Sequence, residues 1–344
     1  MRTNRPRPRA LLCAVLLTAV PALAGCGGGE QPAAANRVTV DNCGEQVPFP
    51  SPAQRLFVNQ GNRVATVLAL GAADQVAAVS SLGDDRAVLG AAYGTEVVDG
   101  LNLTTDGQPS LENVVAQRAD VVVSWFSDGA DVTPDRLAAR SIAAYQSTEG
   151  CKRGSGDARG TVEPWAALDT DLRNLGRITG RDREAEAAVA DIGARRDALA
   201  AAPAAPDRPT VFLFDRGTTD VYSSGAFGAP QAIIEAAGAR NALGDLQESW
   251  TSVSWERIVA ADPDFIAFVD YKRQSYQDKV DVLRTNPATR DLPAVVEGRF
   301  LNLPFAMWTS SPLNIDAAEH LRAGLESRGL LPRSGVEPRL TLPG

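Results

Sequence analysis

Hydrophobic residues form short continuous runs in some segments of the chain and recur at helical spacing in others. This difference predicts the secondary structure. Short apolar runs typical of buried strands occur at residues 56–58, 76–80 and 121–123. Apolar residues at helical spacing separate them, as from Val64 to Leu70, where the following Gly71 is typical of a helix C-cap. Strands that alternate with helices in this way indicate a parallel sheet covered by helices on both faces.

The second half of the chain repeats this order of elements. Strands are predicted at 211–214 and 265–269, and helices at 231–237 and 255–260, the first of which is closed by Gly238. The two halves are therefore interpreted as two copies of one α/β module. Chance similarity between such units is the alternative, because Val, Ala and Asp are common in this chain.

Helical sequence fills the region between the two modules. A helix begins at Pro164 and is interrupted at Gly180, and a long amphipathic segment follows from Arg181 to Ala202, before Pro203. About twenty helical residues at ~1.5 Å each span ~30 Å, which is enough to connect two lobes. We therefore expect a helix to fix the spacing of the lobes and to limit hinge motion.

The N-terminus combines four arginines, an apolar run over residues 10–22 and a Leu-Ala-Gly-Cys sequence that ends at Cys26. The run is too short to span a bilayer as a helix and is typical of a secretory signal. Its ending resembles the lipobox of bacterial lipoproteins, which implies that Cys26 becomes a lipid-modified N-terminus. An ordinary secretory signal with a chance cysteine is the alternative. We expect an extracytoplasmic protein that is held on the membrane by its lipid.

These patterns predict the organisation of the whole chain. A Gly-, Ala- and Pro-rich stretch after Cys26 is typical of a flexible tether, and the hairpin-like segment from Val38 to Val47 follows it. In order, the predicted parts are a signal peptide (1–25), a tether (26–36), an N-terminal α/β lobe (37–160), a connecting helix (161–205), a C-terminal α/β lobe (206–333) and a tail (334–344).

Charge and length narrow the class of protein further. Removal of the signal leaves 30 basic against 42 acidic side chains, a net charge of −12. Nucleic acid is therefore not expected as a partner. The remaining chain is long enough for two domains, since single cores tend to split near ~250–300 residues.

Cysteine and histidine usage limits the metal chemistry that the chain can perform. Cys43 and Cys151 are the only cysteines left after the signal and the lipidation site, so we expect one disulfide, with two free thiols as the alternative. The single histidine, His320, lies in a predicted helix at 315–325 and is interpreted as a packing or surface residue. A bare-metal site built on several imidazoles is therefore not expected. Haem ligation by a tyrosine stays open, through one of Tyr93, Tyr222 or Tyr271.

Several short segments resemble the Fe/B12-type substrate-binding proteins of ABC importers. They are the Ser-x-Glu segments at 110–116 and 254–260, each followed by an aspartate (Asp120 or Asp264), the Leu70-Gly71 pair, and 286–290 (Asn-Pro-Ala-Thr-Arg). Asp41 to Gly44, together with Gly150-Cys151, is similar to an actinobacterial branch of that family. The resemblance covers roughly residues 37–330. It implies a class III α/β fold, in which one long α-helix joins two Rossmann-like lobes, and a monomer without a cofactor.

The resemblance also implies a contact with the membrane permease. In the family, one glutamate on each lobe docks onto permease arginines, and the matching positions in this sequence are Glu112 and Glu256. Two carboxylates on separate rigid lobes can report the distance between the lobes through paired arginine contacts. The alternative is that each is a first-turn glutamate favoured by the helix dipole.

Ligands of open α/β sheets bind beyond the carboxyl ends of the strands, so the loops that follow strands are the candidate ligand contacts. Aromatic side chains among them suit a large flat organic ligand, and Arg216 and Lys272 could meet its negative charge. The predicted cleft residues are Asn59, Gln60, Ser81, Asp84, Trp125, Phe126, Arg216, Phe227, Tyr271, Met307 and Trp308.

The leading hypothesis is a binding protein that captures a ferric siderophore-like metal-organic complex and delivers it to an ABC permease. The same role for a corrinoid, haem or another large cofactor precursor is the alternative. An enzyme is not expected, because the sequence carries no nucleophile elbow, no dinucleotide fingerprint after its first strand and no phosphate loop. A surface lipoprotein without a ligand is a third hypothesis, and it predicts no ligand-induced thermal shift.

Overall fold

The structure is a computed structural model that describes residues 36–152, 160 and 162–342. The predicted signal peptide 1–25, the lipidation site Cys26 and all of the tether except residue 36 lie outside the described residues. None of the helices in the described ranges has the length and apolar character that a bilayer-spanning segment needs.

The N-terminal lobe alternates strands and helices, as its hydrophobic pattern predicts. Its elements are β1 (Arg37–Asn42), β2 (Glu45–Pro50), β3 (Leu56–Asn59), α1 (Gly61–Ala69), β4 (Val76–Ser80), α2 (Arg86–Tyr93), α3 (Thr95–Asp99), β5 (Leu103–Thr105), α4 (Leu111–Ala116), β6 (Val121–Ser124), α5 (Pro134–Ala138) and β7 (Ala143–Gln146). β1 and β2 pair as a hairpin, and the other strands form one parallel sheet with the order β5-β4-β3-β6-β7.

Two packed helices, α6 (Pro164–Thr179) and α7 (Asp182–Ala200), fill the predicted connecting segment. The chain reverses at Gly180, whose positive φ of 70° ends α6 in a left-handed conformation that glycine adopts without strain. α7 begins beside the N-terminal lobe, where Arg181 pairs with Asp74 at 3.1 Å. Its other end packs against helices of the C-terminal lobe. α7 is therefore the helix that leads from one lobe to the other.

The C-terminal lobe is a second α/β unit with a smaller parallel sheet. Its elements are β8 (Thr210–Phe214), β9 (Val221–Ser224), α8 (Ala229–Ala236), β10 (Arg240–Asn241), β11 (Trp250–Val253), α9 (Trp255–Ala261), β12 (Phe265–Asp270), α10 (Tyr276–Thr285), α11 (Pro293–Val296), β13 (Phe300–Pro304), α12 (Phe305–Trp308) and α13 (Asn314–Ser327). Its parallel sheet has the order β10-β8-β12-β13, and β9 and β11 pair separately as an antiparallel ribbon. The two lobes thus have separate sheets, each with fully buried central strands.

The two lobes share one arrangement around the repeated segments. α4 leads into β6 and α9 leads into β12, and each of these strands pairs with the first parallel strand of its own sheet. Asp120 accepts hydrogen bonds from the backbone N–H groups of Gln54 and Arg55 at 2.7 and 3.1 Å. Asp264 accepts the equivalent bond from Thr210 N–H at 2.8 Å. The two aspartates therefore perform the same local task, which favours two copies of one module over chance similarity.

Candidate functional site

A cavity of about 780 Å³ lies between the two lobes, at the carboxyl ends of their strands. The N-terminal lobe contributes residues at the ends of β3 and β6, including Asn59, Gln60 and Trp125. The C-terminal lobe contributes Arg216 after β8 and Phe305 after β13. The volume is within the range of ~300–1,000 Å³ that is usual for small-molecule sites.

A network of polar side chains forms the base of the cavity on the side of the N-terminal lobe. Asn59 donates hydrogen bonds to Ser124 Oγ at 3.1 Å and to Gln108 Oε1 at 3.0 Å, and it accepts one from Ser80 Oγ at 3.0 Å. Because these bonds occupy both ends of its amide, Asn59 is a rigid part of the wall. Trp125 adds an aromatic, partly exposed surface next to this base.

A buried arginine backs the same wall. Arg63, on the first turn of α1, donates from Nε to Ser147 Oγ at 2.7 Å and from Nη1 to Gln60 Oε1. Burial lowers the pKa of Arg63 to about 10, an effect that the negative charges of Glu149 and Asp171 oppose. The guanidinium therefore remains charged at neutral pH and supplies positive potential behind the cavity.

The C-terminal wall is a stack of flat groups. The Arg216 guanidinium carbon lies 4.0 Å from the centre of the Tyr222 ring, and that ring stacks on Trp250 with centroids 6.0 Å apart and planes 18° from parallel. Arg216 Nη1 also donates to Asp215 Oδ2 at 2.7 Å, while the Tyr271 hydroxyl donates to the other oxygen of that carboxylate. Burial raises the pKa of Asp215, although the bond from Tyr271 and the charge of Arg216 offset part of this rise. Arg216 is thus held flat against the wall, with 43% of its side chain exposed.

The structure brings four of the predicted cleft residues to the cavity: Asn59, Gln60, Trp125 and Arg216. Tyr271 lies directly behind Arg216, where its hydroxyl accepts a bond from Nη1 at 3.3 Å, but it does not line the cavity.

The prediction that Met307 and Trp308 belong to the ligand cleft is wrong, because neither side chain can reach a ligand. Both are 0% exposed, since β13 leads straight into α12, which packs down into the main core. Trp308 Nε1 donates to Phe268 O at 3.1 Å, so its polar edge is also turned away from solvent. Phe126 is likewise buried in an apolar cluster of the N-terminal lobe.

The other predicted cleft residues lie outside the cavity wall. Ser81 donates from Oγ to Gly107 O at 2.7 Å, and Phe227 is half-buried with its backbone N–H bonded to Glu248 O at 3.1 Å. Asp84 binds Lys272 of the other lobe, with Nζ at 2.9 Å and the backbone N–H at 2.6 Å. Lys272 is therefore engaged in a contact between the lobes instead of facing a ligand.

Sequence reasoning missed several lining residues, including Arg63, Gln108, Glu149, Trp250 and Phe305. Arg63 could have been found, because the first turn of a helix that follows a parallel strand faces the carboxyl edge of the sheet. Trp250 gave no comparable signal, since it begins the short ribbon strand β11.

Of the three candidate haem ligands, only Tyr222 lines this cavity. Tyr93 lies instead beside Arg195 and Asp316 in a separate pocket. Among the described residues, no cluster of three His, Cys, Asp or Glu side chains is arranged to hold a metal ion. His320 is part of α13, and its Nε2 lies 2.8 Å from Leu340 O.

Glu112 and Glu256 occupy matching positions on the two lobes. Each is exposed and is the second residue of its helix, α4 or α9, after a serine at the N-cap (Ser110 or Ser254). Hydrogen bonds from the Ser254 side chain and from its own backbone N–H lower the pKa of Glu256. The two carboxylates are therefore available to a partner of positive charge.

Cys43 and Cys151 are joined by a disulfide, with Cα atoms 5.3 Å apart. The bond ties the β1–β2 hairpin to the segment that follows β7. Two hydrogen bonds between Asn42 and the Gln146 backbone, at 2.7 and 3.0 Å, support the same attachment.

Asp85 links the two lobes beside the cavity. It is 4% exposed, and its Oδ1 accepts a bond from the backbone N–H of Ala306 at 2.8 Å. Its other oxygen fits against Gly61, where an added Cβ would lie only 2.3 Å away. Burial raises the pKa of Asp85 to about 7, and the charge of Asp84 adds to this rise, while the bond from Ala306 opposes it.

This pKa predicts a pH-dependent stability. Between about pH 4 and pH 7 the folded state holds a proton on Asp85 that the unfolded state has released, so stability falls as the pH rises. Asp85 alone contributes a loss of up to about 4 kcal/mol across that interval. We expect Asp85→Asn, which keeps an acceptor for Ala306, to raise the free energy of unfolding at pH 8 much more than at pH 4.5, as measured by urea denaturation.

The exposed Asp220 provides the control for this measurement. Asp220→Asn should follow the wild-type pH profile. An equal pH dependence in Asp85→Asn and in the wild-type protein would contradict the role given to Asp85.

Comparison with known proteins identifies the class that this fold and cavity define. The sequence profile of the periplasmic binding protein family matches residues 60–307. The chain belongs to this family, which confirms the resemblance drawn from the sequence at the level of the family. Its members bind solutes outside the cytoplasm and are not enzymes. No curated protein matches the chain.

Solved structures share the fold at low sequence identity. A protein described as an ABC-type Fe3+-hydroxamate transport system from Saccharomonospora viridis aligns with a TM-score of 0.72 and 23% identity, over 84% of this chain and 98% of that one. A periplasmic binding protein from Veillonella parvula gives 0.71 and 21%, over 85% and 98%. A periplasmic heme binding protein from Pseudomonas aeruginosa gives 0.63 and 21%, over 85% and 100%.

Proposed function

We propose that this chain is a lipid-anchored, monomeric binding protein that captures a ferric siderophore-like metal-organic complex and delivers it to an ABC permease. The observation that carries the proposal is the cavity of about 780 Å³ with walls from both lobes. Its aromatic side chains suit a large organic ligand, and the Fe3+-hydroxamate description of the Saccharomonospora relative supports an iron complex.

The charges at the cavity favour one kind of siderophore complex. Two arginines, Arg63 and Arg216, line it together with four carboxylates, those of Asp128, Asp131, Glu149 and Asp215. A ferric trihydroxamate has no net charge at its metal centre, whereas a ferric tris-catecholate carries three negative charges. Three of these carboxylates are ion-paired, Asp128 with Lys152, Asp131 with Arg136 and Asp215 with Arg216. The lining therefore offers no excess positive charge for a trianionic complex, and a buried charge without a partner is costly, so the lining supports the neutral complex.

Haem is the alternative that a specific observation favours, because Tyr222 lines the cavity and the relative from Pseudomonas aeruginosa is described as heme-binding. Burial raises the pKa of Tyr222, which makes its phenolate form less accessible, although the charge of Arg216 opposes the effect. The net rise in the pKa of Tyr222 weakens the case for axial ligation of haem iron by this residue. A corrinoid or another large cofactor precursor is kept as a further alternative.

Titration of intrinsic fluorescence tests the proposal directly, since two of the five tryptophans, Trp125 and Trp250, line the cavity. The panel is ferrichrome (a ferric trihydroxamate), ferric enterobactin (a tris-catecholate), haemin and cyanocobalamin. We expect saturable quenching with ferrichrome at the lowest concentration. If only haemin or only cyanocobalamin saturated the protein, that compound would take the place of the ferric siderophore as the proposed ligand. If none of the four saturated the protein, the proposal would be rejected.

Removal of one stacked ring is expected to weaken binding. Tyr222→Ala deletes the ring on which Arg216 and Trp250 pack, and we expect a dissociation constant for ferrichrome about tenfold higher, because one aromatic contact contributes ~1 kcal/mol or more. The control is Tyr93→Ala, which changes a tyrosine outside the cavity. Equal affinities of Tyr222→Ala and wild type would contradict a ligand site at this wall.

A further inference from the structure

The backbone around Arg216 is fixed by contacts within the C-terminal lobe. Tyr222 N–H donates to Arg216 O at 2.7 Å, and Asp215 N–H donates to Tyr222 O at 3.1 Å. On the other side, the Gln274 amide accepts a hydrogen bond from Gly217 N–H at 2.8 Å and donates one to Gly217 O at 3.2 Å. The position of the Arg216 guanidinium in the cavity therefore depends on what holds its side chain.

Two side chains hold the guanidinium at one of its nitrogens. Nη1 of Arg216 donates to Asp215 Oδ2 at 2.7 Å and to the Tyr271 hydroxyl oxygen at 3.3 Å. The Tyr271 hydroxyl in turn donates to Asp215 Oδ1. The three side chains thus close a ring of hydrogen bonds, and the removal of the one hydroxyl would break two of them.

Tyr271 is itself fixed by contacts that do not involve its hydroxyl. Its ring packs edge-on against Phe305 with centroids 6.0 Å apart, and the Nζ of the buried Lys279 lies 4.7 Å from the ring centre. The next residue, Lys272, is bonded to Asp84 of the N-terminal lobe through both its backbone N–H and its ammonium group. The hydroxyl therefore occupies a defined point from which it can orient its two partners.

The protonation of Tyr271 suits a hydrogen-bond donor. Burial raises the pKa of Tyr271, and the negative charge of Asp215 adds to this rise, while Arg216 opposes it. The hydroxyl therefore keeps its proton at neutral pH. Burial also raises the pKa of Asp215, and the bond from Tyr271 is the largest effect that opposes that rise. Loss of the hydroxyl would therefore make the ionised form of Asp215 less favourable and weaken its pairing with Arg216.

We propose that Tyr271 is a positioning residue of the ligand cavity, which holds the Arg216 guanidinium flat on the Tyr222 ring directly and through Asp215. Tyr271 does not line the cavity, so it acts on a ligand only through Arg216. This assignment rests on the proposed function, because it gives Arg216 a ligand to meet. A guanidinium that is fixed before a ligand arrives loses less conformational entropy on binding than a mobile one.

The first test measures ligand affinity with ferrichrome as the probe. Tyr271→Phe removes only the hydroxyl and keeps the ring with its packing contacts. We expect a dissociation constant about fivefold higher than that of the wild type, because Arg216 loses one hydrogen bond and becomes mobile. Tyr276→Phe is the matched control, since the Tyr276 ring packs edge-on against Phe268 and does not line the cavity. Its affinity should equal that of the wild type.

Arg216→Gln separates positioning from a general loss of structure. Glutamine keeps a polar amide beside Asp215 but removes the planar cation, so Tyr271 has no guanidinium left to orient. We therefore expect Tyr271→Phe to leave the affinity of the Arg216→Gln variant unchanged. Additive effects of the two substitutions would overturn the proposal. Unchanged affinity in Tyr271→Phe alone would overturn it as well.

A measurement without ligand distinguishes failure of this proposal from failure of the proposed function. Phenylglyoxal modifies arginine at its terminal nitrogens, so the two bonds at Nη1 should protect Arg216. By peptide mass spectrometry we expect Arg216 to react about threefold faster in Tyr271→Phe than in the wild type or Tyr276→Phe, because one of these bonds is lost. The exposed Arg183 should react equally in all three proteins.

Equal rates at Arg216 in Tyr271→Phe and in the wild type would reject the positioning role. If the wild type bound none of the metal complexes, the proposed function would fail. The phenylglyoxal rates would still decide whether Tyr271 holds Arg216.

Discussion

Joint replacement of Glu112 and Glu256 by alanine is expected to reduce transport at least tenfold while ligand affinity stays at the wild-type value. Both side chains are exposed, and each lies on the first turn of an equivalent helix of its lobe. Neither residue lines the cavity. A permease that reads both lobes through arginines would lose both charge-assisted contacts at once.

The measurement compares cellular uptake of ⁵⁵Fe-ferrichrome with ferrichrome titration of the purified variants. Glu96→Ala and Glu235→Ala provide one control on each lobe, because both residues are exposed and lie on other helices. Each single docking variant should fall between the wild type and the double variant. Normal uptake by the double variant, or weaker ferrichrome binding, would contradict the docking role.

Loss of the disulfide is expected to have the largest effect on stability. The bond closes a loop with a sequence separation of 108 residues. In the chain-entropy model, closing a loop of this length stabilises the folded state by about 5 kcal/mol. We therefore expect Cys43→Ala with Cys151→Ala to lower the free energy of unfolding by about that amount, as measured by urea denaturation.

The wild-type protein in dithiothreitol is the control, and it should unfold at the same urea concentration as the double alanine variant. A loss below about 1 kcal/mol in both samples would show that the loop is already ordered without the bond. The variant should also bind ferrichrome more weakly if the turn that carries Glu149 loosens.

The fold could be predicted because its signals are local and occur twice. Buried strands such as Val121–Ser124 and Phe265–Asp270 give short apolar runs, and the Ser-x-Glu segments before them lead to Asp120 and Asp264 at the same spacing. The hydrogen bonds of these aspartates explain the repetition, since each fixes the start of the neighbouring strand.

The cavity was only partly predictable, because its walls come from segments far apart in the sequence. Asn59 ends β3 and Arg216 is the second residue after β8, both strands of a parallel sheet, so strand prediction located them. Trp308 also follows a strand, but the next residues form a helix that turns it into the core. Glu149 and Trp250 line the cavity from opposite lobes, and no periodicity in the sequence records that they share one site.

The carboxylates that complete helix ends across the gap have a consequence for protein engineering. Asp85 and Glu149 on one lobe serve backbone donors of α12 and α8 on the other, whose own N-cap positions hold Pro304 and Gly228. The C-terminal lobe thus takes both of these acceptors from the other lobe. A chimera that joins the first half of one relative to the second half of another must transfer each acceptor and its helix start as a matched pair.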